Sequence, residues 1–353
     1  MKKKKKLELI ECSGTPYEIG KQYGTACHGS LVTSINAMVA EYSKSQNASK
    51  QDMIAVVKKY VPLVEQFDPE LIDMLKGQSD GAGVTFEEVF LLRCCFEMTF
   101  YYEHMKTLCT SFAVTGRVTR GGKTIIGQNY DYSPGNPLDM VKTKRADGIK
   151  QLSLVLHGAA ELTLNSAGIG MVLNVVVSPI KEQRLVVPSL CIIPKAMRQE
   201  RIGDALGVFC TAGRSLMHYC LASKEGDIIS FEGYPDDFSV LPPERDMLVH
   251  ANHYHTERFK KGELVYMGCP CSYIREPRLR HLIETHYGDI TVEMMMKFMS
   301  DHNNYPHSIC THPLVSDLIP GETIASIIMV PEDNVMYVTG GPPCQYEYIE
   351  YKL

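Results

Sequence analysis

The hydrophobic period of this chain changes at Cys109, and that change limits what it can fold into more than any other feature. Apolar residues before it recur at helical spacing; from it onward they alternate. The first alternating run, Cys109-Thr110-Ser111-Phe112-Ala113-Val114, turns at Arg120-Gly121-Gly122-Lys123 and returns as Thr124-Ile125-Ile126-Gly127-Gln128-Asn129-Tyr130-Asp131-Tyr132. This predicts a hairpin that carries Asp131 back beside Cys109. A thiol at the start of a strand gains a base of its own if the chain is cut at Leu108-Cys109. The freed α-amino group, with an ordinary pKa near ~8, then sits on the same residue as the nucleophile.

The first hundred residues carry helix starts. Thr15-Pro16-Tyr17-Glu18 is a capping box with proline at the first helical position, followed by Ile19, Tyr23 and Cys27 at helical spacing. Asp68-Pro69-Glu70 opens another helix. Thr85-Phe86-Glu87-Glu88 opens a third after Gly81-Ala82-Gly83, continuing through Val89, Leu92, Cys95 and Phe96. The pattern predicts a helical N-terminal segment, residues 1–108, and a second region, 109–353. Strands are expected there at 110–118, 124–132, 150–157, 160–164, 169–177, 215–222, 228–234, 246–254, 323–330, 335–340 and 344–351. Helices are expected at about 190–210, 273–286 and 291–302. Runs of hairpins separated by helices predict an α+β fold, two antiparallel sheets with helices on their outer faces.

With 353 residues, 44% of them hydrophobic, the chain can bury a large core, and its net charge of −5 offers no basic surface for nucleic acid. The Lys2 to Lys6 run reads as a solvated terminus. The Leu7-Glu8-Leu9-Ile10-Glu11 that follows is too charged for a signal peptide, and no apolar run reaches the ~20 residues of a membrane span. A soluble, cytoplasmic protein is expected. Its twelve cysteines are then reduced thiols, with Cys94, Cys95, Cys191, Cys210 and Cys220 serving as small buried hydrophobes.

Several site types are absent from the sequence: a Gly-x-Ser-x-Gly elbow, His-Glu-x-x-His and a phosphate-binding glycine loop. Gly168-Ile169-Gly170 lacks the third glycine of a dinucleotide fingerprint, and Cys269-Pro-Cys271 is too tight for a zinc knuckle. In a continuous strand His250 points away from His253 and His255, so the triplet cannot converge without a bend. No metal is expected.

Seven segments, in order along nearly the whole chain, carry a resemblance. They are Ser13-Gly14-Thr15-Pro16-Tyr17-Glu18-Ile19-Gly20, Cys109-Thr110-Ser111, Gly127-Gln128-Asn129-Tyr130-Asp131, Asn165-Ser166-Ala167-Gly168, Val249-His250-Ala251-Asn252-His253, Ser272-Tyr273-Ile274-Arg275, and Asn304-Tyr305-Pro306-His307-Ser308-Ile309-Cys310. On these the chain resembles the acyl-coenzyme A:6-aminopenicillanic acid acyltransferase (isopenicillin N acyltransferase-like) family of N-terminal nucleophile hydrolases. It resembles choloylglycine hydrolases and penicillin V acylases more distantly. The resemblance implies a four-layer αββα sandwich and self-cleavage at Leu108-Cys109, with residues 1–108 staying bound as a separate chain. It implies Cys109 as nucleophile, Asp131 at the α-amine, and Asn252 with Asn174 as oxyanion donors. Arg275, or Arg278 in its place, is the implied site cation, and Tyr130 the implied pocket wall where relatives carry Trp.

The residues by themselves leave some roles open. Asp131 is also an ordinary strand-end carboxylate, Asn174 a strand polar residue, and Ser272 either a helix cap or an aid to self-cleavage. Leu108 stands where the family has glycine, and a side chain there cannot use glycine-only backbone angles. The expected substrate is a small acyl amide or acyl thioester. No resident cofactor is expected; a coenzyme A thioester would be a cosubstrate, and a homo-oligomer is allowed. The rival readings are a penicillin V acylase or bile-salt-hydrolase-like amidase, and an unprocessed binding protein of the same fold.

Overall fold

The structure, a computed structural model, describes residues 2–101, 108–176, 185–212, 215–314 and 321–353. A strand β1 (Leu9–Gly14) precedes seven helices: α1 (Pro16–Ala26), α2 (His28–Gln46), α3 (Lys50–Val57), α4 (Val61–Phe67), α5 (Pro69–Ala82), α6 (Phe86–Arg93) and α7 (Cys95–Tyr101). Six strands follow: β2 (Leu108–Gly116), β3 (Gly122–Tyr132), β4 (Leu138–Arg145), β5 (Lys150–Leu156), β6 (Ala160–Asn165) and β7 (Ile169–Val175). Then come α8 (Ser189–Ala196), α9 (Ile202–Ala212), β8 (Met217–Ser223), β9 (Ile228–Gly233), β10 (Phe238–Leu241) and β11 (Met247–His250). The chain closes with α10 (Glu257–Lys260), α11 (Val265–Gly268), α12 (Ser272–Thr285), α13 (Val292–Phe298), β12 (Glu322–Val330), β13 (Val335–Thr339) and β14 (Ile349–Lys352).

The strands form two sheets, β1-β4-β5-β6-β7-β8-β9-β10 and β11-β2-β3-β12-β13-β14. They pack face to face through β2 and β3 on one side and β7 and β8 on the other. Helices α8 and α9 lie against β6 and β8, and α12 and α13 against β11, β2 and β12. With both faces covered, the central strands are apolar almost throughout, as in the Ile324-Ala325-Ser326-Ile327-Ile328-Met329-Val330 run of β12.

Each face of the β2/β3 hairpin feeds a different core. Cys109, Ala113, Ile126 and Tyr130 join the packing between the sheets, with Leu164, Met171 and Leu173. Phe112, Val114 and Ile125 join Leu279, Ile283 and Met295 beneath α12 and α13. Burying each such side chain stabilises the fold by ~1.5–3 kcal/mol, and a slip of one residue would exchange the two sets. The register is therefore held, with Cys109 opposite Tyr130 and Leu108 opposite Asp131.

Three strands were not expected. Among the described residues before β2, seven helices are joined by one strand, β1, which runs parallel to β4 along the edge of the larger sheet, Leu9 opposite Met140. Strands β4 and β10 were also unforeseen, since Lys142, Lys144 and Arg145 mask the alternation of the first and the second has only four residues. Conversely, β11 stops at His250, four residues short of the expected end. Helices α1 and α5 pack backbone to backbone. A Cβ at Gly20 would lie 1.9 Å from Met74 O, and one at Gly77 would lie 2.0 Å from Tyr17 O, so the crossing requires glycine.

Candidate active site

Cys109 pairs with Tyr130 and Asp131 with Leu108, so Cys109 and Asp131 leave the hairpin on opposite faces and the carboxyl is turned away from the thiol. The thiol, fully buried, points between the sheets with Tyr130 and Gln128. Burial raises it to about 12, with the Asp131 charge adding to the effect; Arg275, the Asp131 backbone N–H and the Gln128 side chain oppose it. At neutral pH this environment favours the protonated thiol over the thiolate.

The peptide group on either side of this residue is gripped by two side chains. Cys109 N–H donates to Asn252 Oδ1 at 3.1 Å. Arg275 donates through Nη1 to Cys109 O at 2.5 Å and to Thr110 Oγ1 at 2.7 Å, and through Nη2 to Asn252 Oδ1 at 2.6 Å. Since a guanidinium has no acceptor, these bonds fix the amide of Asn252 with its oxygen towards Cys109 and Arg275. Its Nδ2 then faces Val175 O at 2.9 Å, leaving the second hydrogen without a partner among the described residues. Ser272 Oγ accepts the backbone N–H of Asn252 and meets His253 Nδ1, both at 2.8 Å. Ser272 is the first residue of α12, and its hydroxyl is turned to Asn252 and His253. Arg278 pairs instead with Asp301 at 2.7 Å, which leaves Arg275 as the cation at Cys109.

Asp131 is enclosed by two hydroxyls, Thr323 Oγ1 at 2.6 Å from Oδ1 and Thr311 Oγ1 at 3.1 Å from Oδ2. Burial raises its carboxyl to about 7 against the opposing pull of Arg275. Thr311 Oγ1 also donates to Ser308 O at 2.9 Å. One hydroxyl proton cannot serve both acceptors, and a proton on Asp131 Oδ2, donated to Thr311 Oγ1, satisfies all three groups.

Asn174 lies in β7, across the inter-sheet space. Its Oδ1 accepts from Ser111 Oγ at 2.5 Å and meets His218 Nδ1 at 2.9 Å, while its buried Nδ2 has no partner among the described residues. Gln128 Oε1 accepts from Leu173 N–H at 2.9 Å. Tyr130 is fully buried, its hydroxyl 3.0 Å from His157 Nε2. The side chain of Leu108 and all of residues 102–107 lie outside the described residues.

The histidine triplet corrects the sequence reading. Because β11 ends at His250, the chain bends and all three imidazoles come together, with ring centroids 4.6 Å apart for His250 and His255 and 5.3 Å for His253 and His255. His218 stacks on His250 at 3.6 Å, and Glu232 Oε1 accepts from His250 Nε2 at 2.8 Å.

Other residues at the site had no role in the sequence reading. Gln128 was legible in principle, because two residues before Tyr130 in a strand means the same face as Cys109. Thr311 and Thr323 carried no local signal. Cys269 and Cys271, dismissed as a zinc motif, sit at Arg275: Cys269 Sγ is 3.2 Å from Nη2 and 3.5 Å from Cys271 Sγ. The hydrogen bond from Cys269 and the nearby guanidinium hold the Cys271 thiol below its ordinary value against the effect of burial.

The shape of the chain is similar to that of a mutant of the conjugated bile acid hydrolase from Clostridium perfringens. The TM-score is 0.44 and the identity 11%, over 69% of this chain and 97% of that one. Penicillin V acylase from Agrobacterium tumefaciens gives a TM-score of 0.41 and 9% identity, over 66% and 83%. In sequence, 307 residues are 20% identical to the acyl-coenzyme A:6-aminopenicillanic-acid-acyltransferase 40 kDa form of Emericella nidulans, covering 85% of this chain and 84% of the relative. Residues 118–343, well over half of the chain, match the model of one family from just after the Cys109 strand to the β13–β14 loop. The chain belongs to the acyl-coenzyme A:6-aminopenicillanic acid acyl-transferase family.

Proposed function

We propose that this chain is a self-processing cysteine N-terminal nucleophile enzyme of four-layer αββα type, which transfers or hydrolyses acyl groups of amides or thioesters through a Cys109 acyl-enzyme. The supporting observation is the grip on the Cys109 peptide: Asn252 Oδ1 holds its N–H and Arg275 holds both its carbonyl and Asn252. A core of this kind, with a guanidinium and an amide committed to one backbone unit, is costly to bury and is accounted for if that unit is where bonds change.

In processing, the Cys109 thiol adds to the Leu108 carbonyl and the C–N bond breaks, the thiol proton passing to the departing nitrogen. Water then hydrolyses the thioester, giving a Leu108 carboxylate, a free thiol and an α-amine. Asn252 Oδ1 keeps its bond to that nitrogen. Asp131, on the backbone side of the residue, supports the amine through its neighbouring strand.

In turnover, the α-amine takes the thiol proton and the sulfur attacks the substrate carbonyl. The oxyanion is met by the uncommitted N–H of Asn252 and by Asn174 Nδ2, each donor worth ~3 kcal/mol in such a site. The leaving amine or thiol departs with a proton, and water or a second amine resolves the acyl-enzyme. The Emericella nidulans relative carries acyl-coenzyme A and 6-aminopenicillanic acid in its name, which supports an acyl thioester or amide as the class of substrate without fixing the acyl group or the amine.

Denaturing mass spectrometry of active protein tests this reading. Fragments 1–108 and 109–353 are expected, and Cys109→Ala is expected to remain one chain. A fully active preparation of intact chain would refute it, while an intact and inactive chain that binds acyl ligands would favour the binding-protein reading.

A further inference from the structure

Four side chains of metal-binding type meet at one point, three from residues 302–312 and one from the loop that carries Cys344. His302 follows α13, Cys310 and His312 lie up to ten residues beyond, and Cys344 comes from the loop between β13 and β14. Their ligand atoms all lie within 4.8 Å of one another. His312 Nε2 is 3.1 Å from His302 Nε2, 3.6 Å from Cys310 Sγ and 3.3 Å from Cys344 Sγ.

Hydrogen bonding does not account for this arrangement. A neutral imidazole nitrogen has one proton or one lone pair, so His312 Nε2 can satisfy one neighbour, and here it has three. The distances fit a shared cation instead. Tetrahedral zinc with Zn–N of ~2.05 Å and Zn–S of ~2.3 Å requires N···N separations of about 3.3 Å and N···S separations of about 3.6 Å between its ligands.

We infer that His302, Cys310, His312 and Cys344 form a structural zinc site. Two thiolates balance the cation, so the unit is neutral and two protons are released on binding. Four protein ligands close the coordination sphere, leaving no position for substrate or water, which separates this site from acyl chemistry. Its outer contacts hold the ligand-bearing segment in place: Cys310 N–H donates to Asp301 O at 3.1 Å and His312 N–H to Pro306 O at 2.9 Å.

The site has one consequence for Cys109. Thr311, between two of the ligands, is a hydroxyl partner of Asp131, and its own N–H donates to the other partner, Thr323 Oγ1, at 3.0 Å. Metal at this point would fix both walls of the Asp131 enclosure. The second cluster of metal-binding type, His253, His255 and Glu276, is weaker, because His253 already meets Ser272 and Glu276 already pairs with Arg280 at 2.8 Å.

Full-length protein, loaded with zinc and gel-filtered in metal-free buffer, tests the inference by elemental mass spectrometry. About one zinc per chain is expected, with Cys310 and Cys344 protected from alkylation until a strong chelator is added, and with chelation lowering the unfolding midpoint. Cobalt in place of zinc should give thiolate-to-metal charge-transfer absorption and tetrahedral visible bands. His302→Ala and Cys344→Ser, at the exposed and half-buried edge of the cluster, should each lose most of the zinc, while His255→Ala keeps it. Metal-free wild type after loading, a cobalt spectrum without the thiolate band, a Cys310–Cys344 disulfide, or zinc retained by both edge variants would each overturn the site. If an edge variant fails to fold, the wild-type metal count and cobalt spectrum decide.

Discussion

Asp131→Asn should make the uncut chain more stable at pH 8 and leave it unchanged at pH 4. The Asp131 carboxyl ordinarily titrates at 3.8, and burial raises it to about 7 in the fold. Between those values the folded chain holds a proton that the unfolded chain has lost. Stability is therefore full below pH ~4, falls as pH rises towards 7, and is flat above. At ~1.4 kcal/mol per pH unit, the interval is worth at most ~4 kcal/mol. Asparagine keeps the neutral form at every pH, its Nδ2 donating to Thr311 Oγ1 and its Oδ1 accepting from Thr323. Urea unfolding at pH 4, 6 and 8, with Cys109→Ala in both proteins to keep one chain, should show the advantage of Asp131→Asn growing from near zero to ~2–4 kcal/mol. An equal difference at all three pH values, or a loss at pH 8, would refute the protonated enclosure. The same change should cost processing and turnover, since an amide carries no charge to support the α-amine.

Four further outcomes are expected. Asn252→Ala in processed enzyme should lower kcat by roughly a hundredfold or more, and unchanged turnover in steady-state kinetics would remove Asn252 from the site. Iodoacetamide at pH 7 should label Cys271, held below its ordinary value and half-buried, before Cys109 in the uncut chain; peptide mapping that finds Cys109 first would contradict the geometry. In processed enzyme, the loss of activity should instead follow Cys109 labelling. Gly77→Ala should destabilise by ~3 kcal/mol or more, because the added Cβ meets Tyr17 O at 2.0 Å; a wild-type urea midpoint would argue against the α1–α5 contact.

Local signals were legible where physics is local. The capping boxes at Thr15 and Thr85 form as their spacing required, with Glu18 and Glu88 answering the cap residues. The Cys109 hairpin closes as alternation and the Gly121-Gly122 turn predicted, with Asp131 one pair away from Cys109, opposite Leu108. Strands β1 and β10 were hidden because each is short and stabilised by its neighbour. His250, His253 and His255 were misjudged because a strand was carried past its end, and nothing in the local pattern marks where pairing with β2 stops.

The change of period at Cys109, the hairpin that carries Asp131 back towards it, and the ordered motifs of the family are all local properties of the chain. Which arginine reaches Cys109, how the Asn252 amide is turned, and which hydroxyls enclose Asp131 follow from long-range packing. The same packing brings His302, Cys310, His312 and Cys344 to one point. The physical reason is range. Period, caps and turns depend on neighbours a few residues away, whereas Arg275 meets Cys109, and Thr323 meets Asp131, across more than a hundred residues of chain. Those distances are set by how two sheets and their helices bury apolar surface, a balance taken over the whole fold.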